Sequence, residues 1–431
     1  MRFSCLIFGL GDEPDFGCIA VPTPDRFSNR YKVIVLVSVT VARIIYSVNW
    51  FTLSPGLYQV ANDFHATLPS LGILESTFLI GAGIFQVPAS YAAARWNAKL
   101  LTLAGLGLIA FSNGLGSIVP NFTLLIVARF LLGIGVAMFF SPAIIIVAPM
   151  FRNESQGIAL GLYNSAFSIG GVIGLFGWGY FVQVYNWRVG LLLGAVLAAF
   201  ALFELQLTVK HGSHEGTTWV DPRRALSVVL KDRQIWMMGL GMLGVWSAYY
   251  AVTQFMPFYE TNVHSISPGL AGFMASIISI TPIPGALFGG WLSDRLRNRK
   301  AFMLYPSIVF GAAVMLIGYA NFAETLTLLV ILGLMNSFAF TAMYAAPFQM
   351  AHLNVDQKAI SISLMNGVQI AGAFILPIIF TLAASSMGYE VAWLSAGLFV
   401  VVFVPLLGLI LEPFKLPEYR QDIAEKQSDS K

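Results

Sequence analysis

Arg43, Glu75 and Arg129 are ionisable side chains set inside long apolar runs. A charge in such a run costs about 3 kcal/mol or more, so it is kept where it meets a partner, a cargo or water. Arg43 lies about ten residues into its run, near mid-membrane depth at ~1.5 Å per helical residue. Its guanidinium is a permanent cation with a planar fork of donors, suited to a carboxylate or an inorganic oxyanion. Tyr46, Ser47 and Trp50 follow at i+3, i+4 and i+7 and share its helix face. Arg43 therefore reads either as an anion-binding residue or as a buried arginine held by backbone carbonyls or by Glu75. Glu75 and Arg129 each stand about seven residues from the same end of their runs, a matching depth that lets them pair. Glu75 is the carboxylate placed deepest in a run, so it is the candidate proton carrier, with Arg129 beside it; Glu204 lies near a run's end.

A second group of candidates is uncharged. Trp246, Tyr250 and Gln254 recur at i, i+4 and i+8, with Tyr249 adjacent; Tyr344 and Gln349 lie in a later run, and Asn366 and Gln369 one turn apart in the next. Aromatic faces with a few polar groups line small-molecule sites. The competing reading is that such stripes face lipid or neighbouring helices, and that asparagines such as Asn164 and Asn366 join helices.

The elements that must position these residues follow from composition. Of 431 residues, 57% are hydrophobic and 10% charged, and the mean hydropathy is +0.76. Apolar runs of this length are bilayer spans. That excludes soluble enzymes, nucleic-acid binders and disordered chains, and a net charge of +3 implies no polyanionic partner. Cys5 and Cys18 cannot make a disulfide scaffold or a CxxC site. Twelve runs are expected near 33–58, 68–91, 100–119, 122–149, 157–180, 188–207, 235–259, 268–292, 301–320, 326–349, 359–385 and 391–411. A polar stretch at 208–234 separates two groups of six, and the second group has no formal charge inside a run. No histidine falls within a run, and no metal cluster or Walker motif is seen. Of the 24 basic residues, 21 fall on the face that carries both chain ends. By the positive-inside rule that face is cytoplasmic.

The two groups of six read as repeats. Leu162-Tyr163-Asn164 with Gly170 matches Leu364-Met365-Asn366 with Gly372 at an offset of 202, which also pairs Glu154 with Asp356. The eighth-to-ninth junction reads Gly290-Trp291-Leu292-Ser293-Asp294-Arg295-Leu296-Arg297-Asn298-Arg299-Lys300. It resembles the G-x-L-A/S-D-R-x-G-R-R/K loop of the major facilitator superfamily, with Arg297 and Asn298 replacing the usual Gly and Arg. The first-half copy is eroded, with Ser90 for the Gly, Ala94 for the Asp, Arg95 for the Arg and Asn97 for the second Gly. Arg129, Gly133, Gly135 and Ala137 are similar to the family's R-x-x-x-G-x-G-x-A signature, and Gly170, Gly171, Gly174, Gly177 and Gly179 make the fifth run glycine-rich in the family's manner. The resemblance implies that the first helix lines a central cavity and that Arg129 is a structural or proton-path residue. It also implies a gate at Gly290, Asp294, Arg295, Arg299 and Glu154, in which Asp294 caps the start of the fifth helix near Ser155 and Gly157.

The expected fold class is an all-α polytopic membrane protein, twelve transmembrane helices in two pseudo-symmetric six-helix bundles. The expected division is a cytoplasmic leader at 1–30, bundles at 31–207 and 235–411, a cytoplasmic loop at 208–234 and a tail at 412–431. The expected function is secondary transport of a small organic or inorganic anion by alternating access, with a proton as candidate co-substrate. Proton-linked efflux of hydrophobic or cationic compounds, a sugar-like porter and a membrane receptor are the alternatives. Substrate contacts are assigned to Arg43, Tyr46, Ser47, Trp50, Trp246, Tyr250, Gln254, Tyr344, Asn366 and Gln369, and proton coupling to Glu75 and Arg129. The expected partners are the small-molecule substrate and the lipid bilayer, with no cofactor, metal or nucleic acid; the expected setting is a monomer in the cell membrane.

Overall fold

The computed structural model describes residues 28–95, 97–147, 150, 151, 154–210, 222–350, 352, 353 and 355–412. The leader at 1–27, with Cys5 and Cys18, and the tail from 413 lie outside the described residues. Twelve helices among those described are long and apolar enough to cross a membrane. Span 1 runs Asn29–Phe51 and continues through the turn Ser54–Gly56 into Leu57–Asp63. Span 2 is Leu68–Arg95, span 3 Ala98–Ile118 and span 4 Phe122–Val147. Span 5 is Glu154–Val172, a π-helical turn at Ile173–Gly177 and Trp178–Val184; span 6 is Trp187–Thr208. In the second half, span 7 is Arg233–Val263, span 8 Pro268–Ile280 with Pro282–Leu296, and span 9 Arg299–Leu316. Span 10 is Phe322–Ala345, span 11 Val355–Gly372 with Ile375–Met387, and span 12 Tyr389–Phe403.

Local sequence accounts for the boundaries. Asn97, Asn186, Asp232, Asn298 and Asn321 each cap a helix start by accepting a backbone N–H, and Asn321 with Glu324 completes a capping box. Pro282 lacks the amide that would continue span 8, so the helix restarts there after Thr281. Side chains such as Ile84, Phe111, Phe200, Phe203, Tyr305 and Val402 are exposed around the outside. In water such a surface would associate, whereas in a bilayer hydrocarbon is its solvent.

Spans 1–6 pack on one another, as do spans 7–12, and the halves meet mainly where span 2 lies on span 11 and span 5 on span 8. These two contacts exchange under a pseudo-two-fold, as the repeated sequence predicts. The polar stretch between the halves is more structured than expected. A ten-residue helix, Pro222–Lys231, forms within it and buries Val229, and Trp236 Nε1 donates to the Leu230 carbonyl at 2.9 Å. Span 7 also extends beyond its expected end at 259 and takes in Glu260, which is fully buried and 2.8 Å from His264 Nδ1. The second half therefore does carry a formal charge within a span, at the end facing away from the chain termini.

Candidate functional site

Glu75 and Arg129 do pair. Arg129 Nη2 donates to Glu75 Oε2 at 2.6 Å, with the side chains 2% and 0% exposed. Spans 2 and 4 come close enough because Gly81 and Gly133 face each other: a Cβ on Gly81 would meet the Phe130 carbonyl oxygen at 2.5 Å, and one on Gly133 would strike that of Phe78. Tyr250, from the other half, donates its hydroxyl to the same Oε2 at 2.6 Å. The Arg129 guanidinium lies 4.7 Å over the Phe78 ring, and Phe78 stacks on Tyr250 with centroids 6.3 Å apart. Trp50 closes the layer, edge-on to Phe78 at 4.7 Å and 6.3 Å from Trp246. Glu75 Oε1 and Arg129 Nε and Nη1 have no hydrogen-bond partner. A buried pair that is only partly satisfied is weak evidence for stability, but stripping away one partner typically costs about 3–5 kcal/mol.

Other bonds join the halves around this layer. Ser76 Oγ donates to the Phe374 carbonyl at 2.6 Å, and Ser54 Oγ to those of Thr253 and Gln254 at 2.7 and 3.0 Å. The Gly269 amide donates to Gln183 Oε1 at 3.1 Å. Ser54, Gln183 and Gly269 belong to the ends of their spans that face away from the chain termini, so that side of the bundle is closed.

Arg43 meets neither backbone carbonyls nor Glu75. It is 5% exposed, and its Nε and Nη1 have no hydrogen-bond partner. Four rings surround the guanidinium: Tyr46 at 4.2 Å, Phe140 at 4.6 Å, Phe167 at 5.0 Å and Tyr163 at 5.2 Å. Ring faces satisfy a cation without using its N–H groups, which leaves Nε and Nη1 for an in-plane acceptor. Tyr344, on span 10 of the other half, joins the aromatic layer through Phe340, which meets Tyr344 at 5.9 Å and Trp246 at 5.7 Å.

The remaining expected contacts separate into groups. Trp246 stacks on Tyr249 at 5.5 Å, touches Phe340 at 5.7 Å, and leaves its Nε1 unpartnered. Tyr344 donates to Asn366 Oδ1 at 3.2 Å. Gln369 is fully buried, with Nε2 3.0 Å from the Met343 sulfur and Oε1 unpartnered. Ser47 instead points at span 5, donating to the Phe167 carbonyl at 2.6 Å beside Gly170. Gln254 lies one turn beyond Tyr250, buried with its amide unpartnered. Gln349 lies apart from these, against Arg299 at the junction of spans 8 and 9: in the amide orientation that satisfies both groups it accepts from Arg299 at 3.1 and 3.2 Å.

At the same junction Asp294 is exposed and accepts from Arg299 Nη2, while Arg299 Nη1 donates to Ser293 Oγ at 2.6 Å. Arg295 lies 5.3 Å over Trp291, and Gly290 is where spans 8 and 10 approach, with a built Cβ 3.3 Å from Thr341. Glu154 is the first residue of span 5; its side chain, with those of Ser155 and Gly157, lies outside those described. Sequence reasoning passed over Phe78, Phe140, Tyr163 and Phe167. Tyr163 alone had a signal, since it stands between the repeated Leu162 and Asn164.

Comparison with known proteins completes the picture. The family model described as Major Facilitator Superfamily matches residues 39–351 and 261–428. The chain is 22% identical over 353 residues to a nitrite extrusion protein of Bacillus subtilis (strain 168), covering 80% of this chain and 86% of that one. It is 21% identical over 325 residues to a probable L-galactonate transporter of Escherichia coli (strain K12), covering 70% and 72%. Its fold superposes with a TM-score of 0.75, at 16% identity and over 90% of this chain and 98% of that one, on a bacterial homolog of the human lysosomal transporter Spinster in an inward-facing, unoccupied conformation. The twelve spans, the two-fold exchange of packing contacts and the family match over most of the chain together place it in the Major Facilitator Superfamily, as a secondary transporter.

Proposed function

We propose that the protein moves a small organic or inorganic anion across the cell membrane by alternating access, with both termini in the cytoplasm and Glu75 as the proton-carrying group. One observation carries the anion reading: Arg43, buried within its span, has two guanidinium nitrogens with nothing to bond. A cation in that setting is best satisfied by an anion that comes and goes. The names of relatives agree, since nitrite and galactonate are both anions. Tyr250 and Arg129 hold one oxygen of Glu75 from opposite halves. Protonating that carboxyl would loosen both bonds together, which is what supports coupling of a proton to rocking of the halves. Asp294, Arg295 and Arg299 form the cytoplasmic gate, in which Asp294 exchanges Arg299 for the start of span 5 as the halves close.

Proton-linked efflux of hydrophobic or cationic compounds is the second reading, favoured by the aromatic layer of Trp50, Phe78, Trp246 and Tyr250. Uptake into proteoliposomes of nitrite, galactonate and a lipophilic cation, with and without a pH gradient, separates the two. Anion uptake abolished in Arg43→Gln is the expected result. Cation movement that depends on Glu75 and ignores Arg43 would replace the anion reading.

A further inference from the structure

Charge at the buried centre is close to balanced. Among the described residues of the spans, Arg129 is matched by Glu75, Glu260 lies against His264 at the far end of span 7, Glu204 keeps a buried oxygen without a partner near the end of span 6, and Arg43 has no acid beside it. The single positive charge of Arg43 in a low-dielectric setting matches one negative charge; a second carboxylate, or the second charge of a phosphate, would enter with no cation beside it.

The second half also has something to bind besides charge. Trp246 Nε1 is a donor without an acceptor, and Gln369 Oε1 an acceptor without a donor. The Gln369 amide nitrogen reaches only a thioether sulfur, a weak acceptor. Ring contacts connect the two sets across the halves: Arg43 lies 4.2 Å over Tyr46, Tyr46 meets Trp50 at 5.9 Å and Trp50 meets Trp246 at 6.3 Å, while Phe340 bridges Trp246 and Tyr344 at 5.7 and 5.9 Å and Tyr344 bonds Asn366. Buried polar groups are normally paired, and unpaired ones lining a site point to a ligand that pairs them. An inorganic ion can neutralise Arg43 but brings no hydroxyls to the second half.

We infer that the cargo is an organic monocarboxylate with a hydroxylated body, its carboxylate on Arg43 and its hydroxyls on Trp246, Asn366 and Gln369. This rests on the anion reading above and narrows it. The test is titration calorimetry on the purified protein with gluconate, glycerate and glucuronate, against glucose, glucarate, nitrite and propionate. At least one of the three hydroxylated acids binds at least about tenfold more tightly than glucose, glucarate or nitrite, the discrimination expected when a site's polar groups would otherwise stay unpaired. In Trp246→Phe and Gln369→Leu the affinity ratio of that acid to propionate falls about tenfold, a selective change that general loss of fold does not produce. Tightest binding of glucarate or nitrite overturns the inference and leaves the anion reading standing. Glucose bound as tightly as the acids, together with an indifferent Arg43→Gln, overturns both. Binding of none of the three hydroxylated acids also overturns the inference.

Discussion

Tyr250→Phe removes one hydroxyl and keeps the ring. The stack on Phe78 at 6.3 Å and the contact with Trp50 at 6.4 Å stay in place, and Glu75 keeps its 2.6 Å bond to Arg129. What is lost is the 2.6 Å bond from one half of the molecule to a charged oxygen in the other, with a longer 3.4 Å bond from the same hydroxyl to the Glu75 carbonyl. A hydrogen bond to a charged group contributes about 1.5–3 kcal/mol, which converts to a shift of about 10- to 150-fold in the equilibrium between the closed and open outer side. The bonds made by Ser54, Ser76 and Gln183 remain, so the closed state still exists. Spin labels at Asn62→Cys and Val263→Cys, with Cys5 and Cys18 changed to Ser, report the opening as a bimodal distance distribution in electron–electron double resonance. The open population should rise by about tenfold or more. In a Glu75→Gln background the same change removes a neutral bond of about 1 kcal/mol and should shift the population about fivefold or less. Equal shifts in both backgrounds, or no shift in either, would refute the idea that the phenol reads the charge on Glu75.

Further outcomes follow from the same contacts. Glu75→Gln should abolish accumulation of substrate driven by a pH gradient while leaving exchange of internal for external substrate, measured in proteoliposomes; accumulation at the wild-type level would remove Glu75 as carrier. Gly133→Leu drives a side chain into the Phe78 backbone and should cost about 1–3 kcal/mol, read as a lowered thermal midpoint of the purified protein. An unchanged midpoint would mean that spans 2 and 4 do not touch there. Asp294→Ala removes one partner of Arg299, which keeps Ser293 and Gln349, and should slow transport at least about tenfold without lowering the amount of protein in the membrane; a wild-type rate sinks the gate assignment.

The twelve spans, their pairing into repeats and the Glu75–Arg129 pair were all legible in the sequence, because each depends on distance along a helix axis. Seven residues from a common end fixes depth whatever the helix's rotation. Rotation was much harder to read. That Tyr250 faces Glu75 while Ser47 turns away to Phe167 depends on how glycines set the approach of neighbouring spans, which no single-helix pattern records. The ring cage of Arg43 was invisible for a related reason: with 34 phenylalanines in the chain, Phe140 and Phe167 look no different from those that face lipid. Glu260 was lost to an end placed one residue short, and the helix Pro222–Lys231 to its brevity within a polar stretch.

The central claim is that a free guanidinium at Arg43 binds the charge of the cargo, and its most direct test is the initial rate of anion uptake by wild type, Arg43→Lys and Arg43→Gln in parallel. Truncating one partner of a buried charged pair costs about 2–5 kcal/mol, so Arg43→Gln should fall by about 30-fold or more. Arg43→Lys, which keeps the charge but loses the planar fork, should fall in between. Uptake by Arg43→Gln within about twofold of wild type, in protein that inserts and melts normally, would contradict the account.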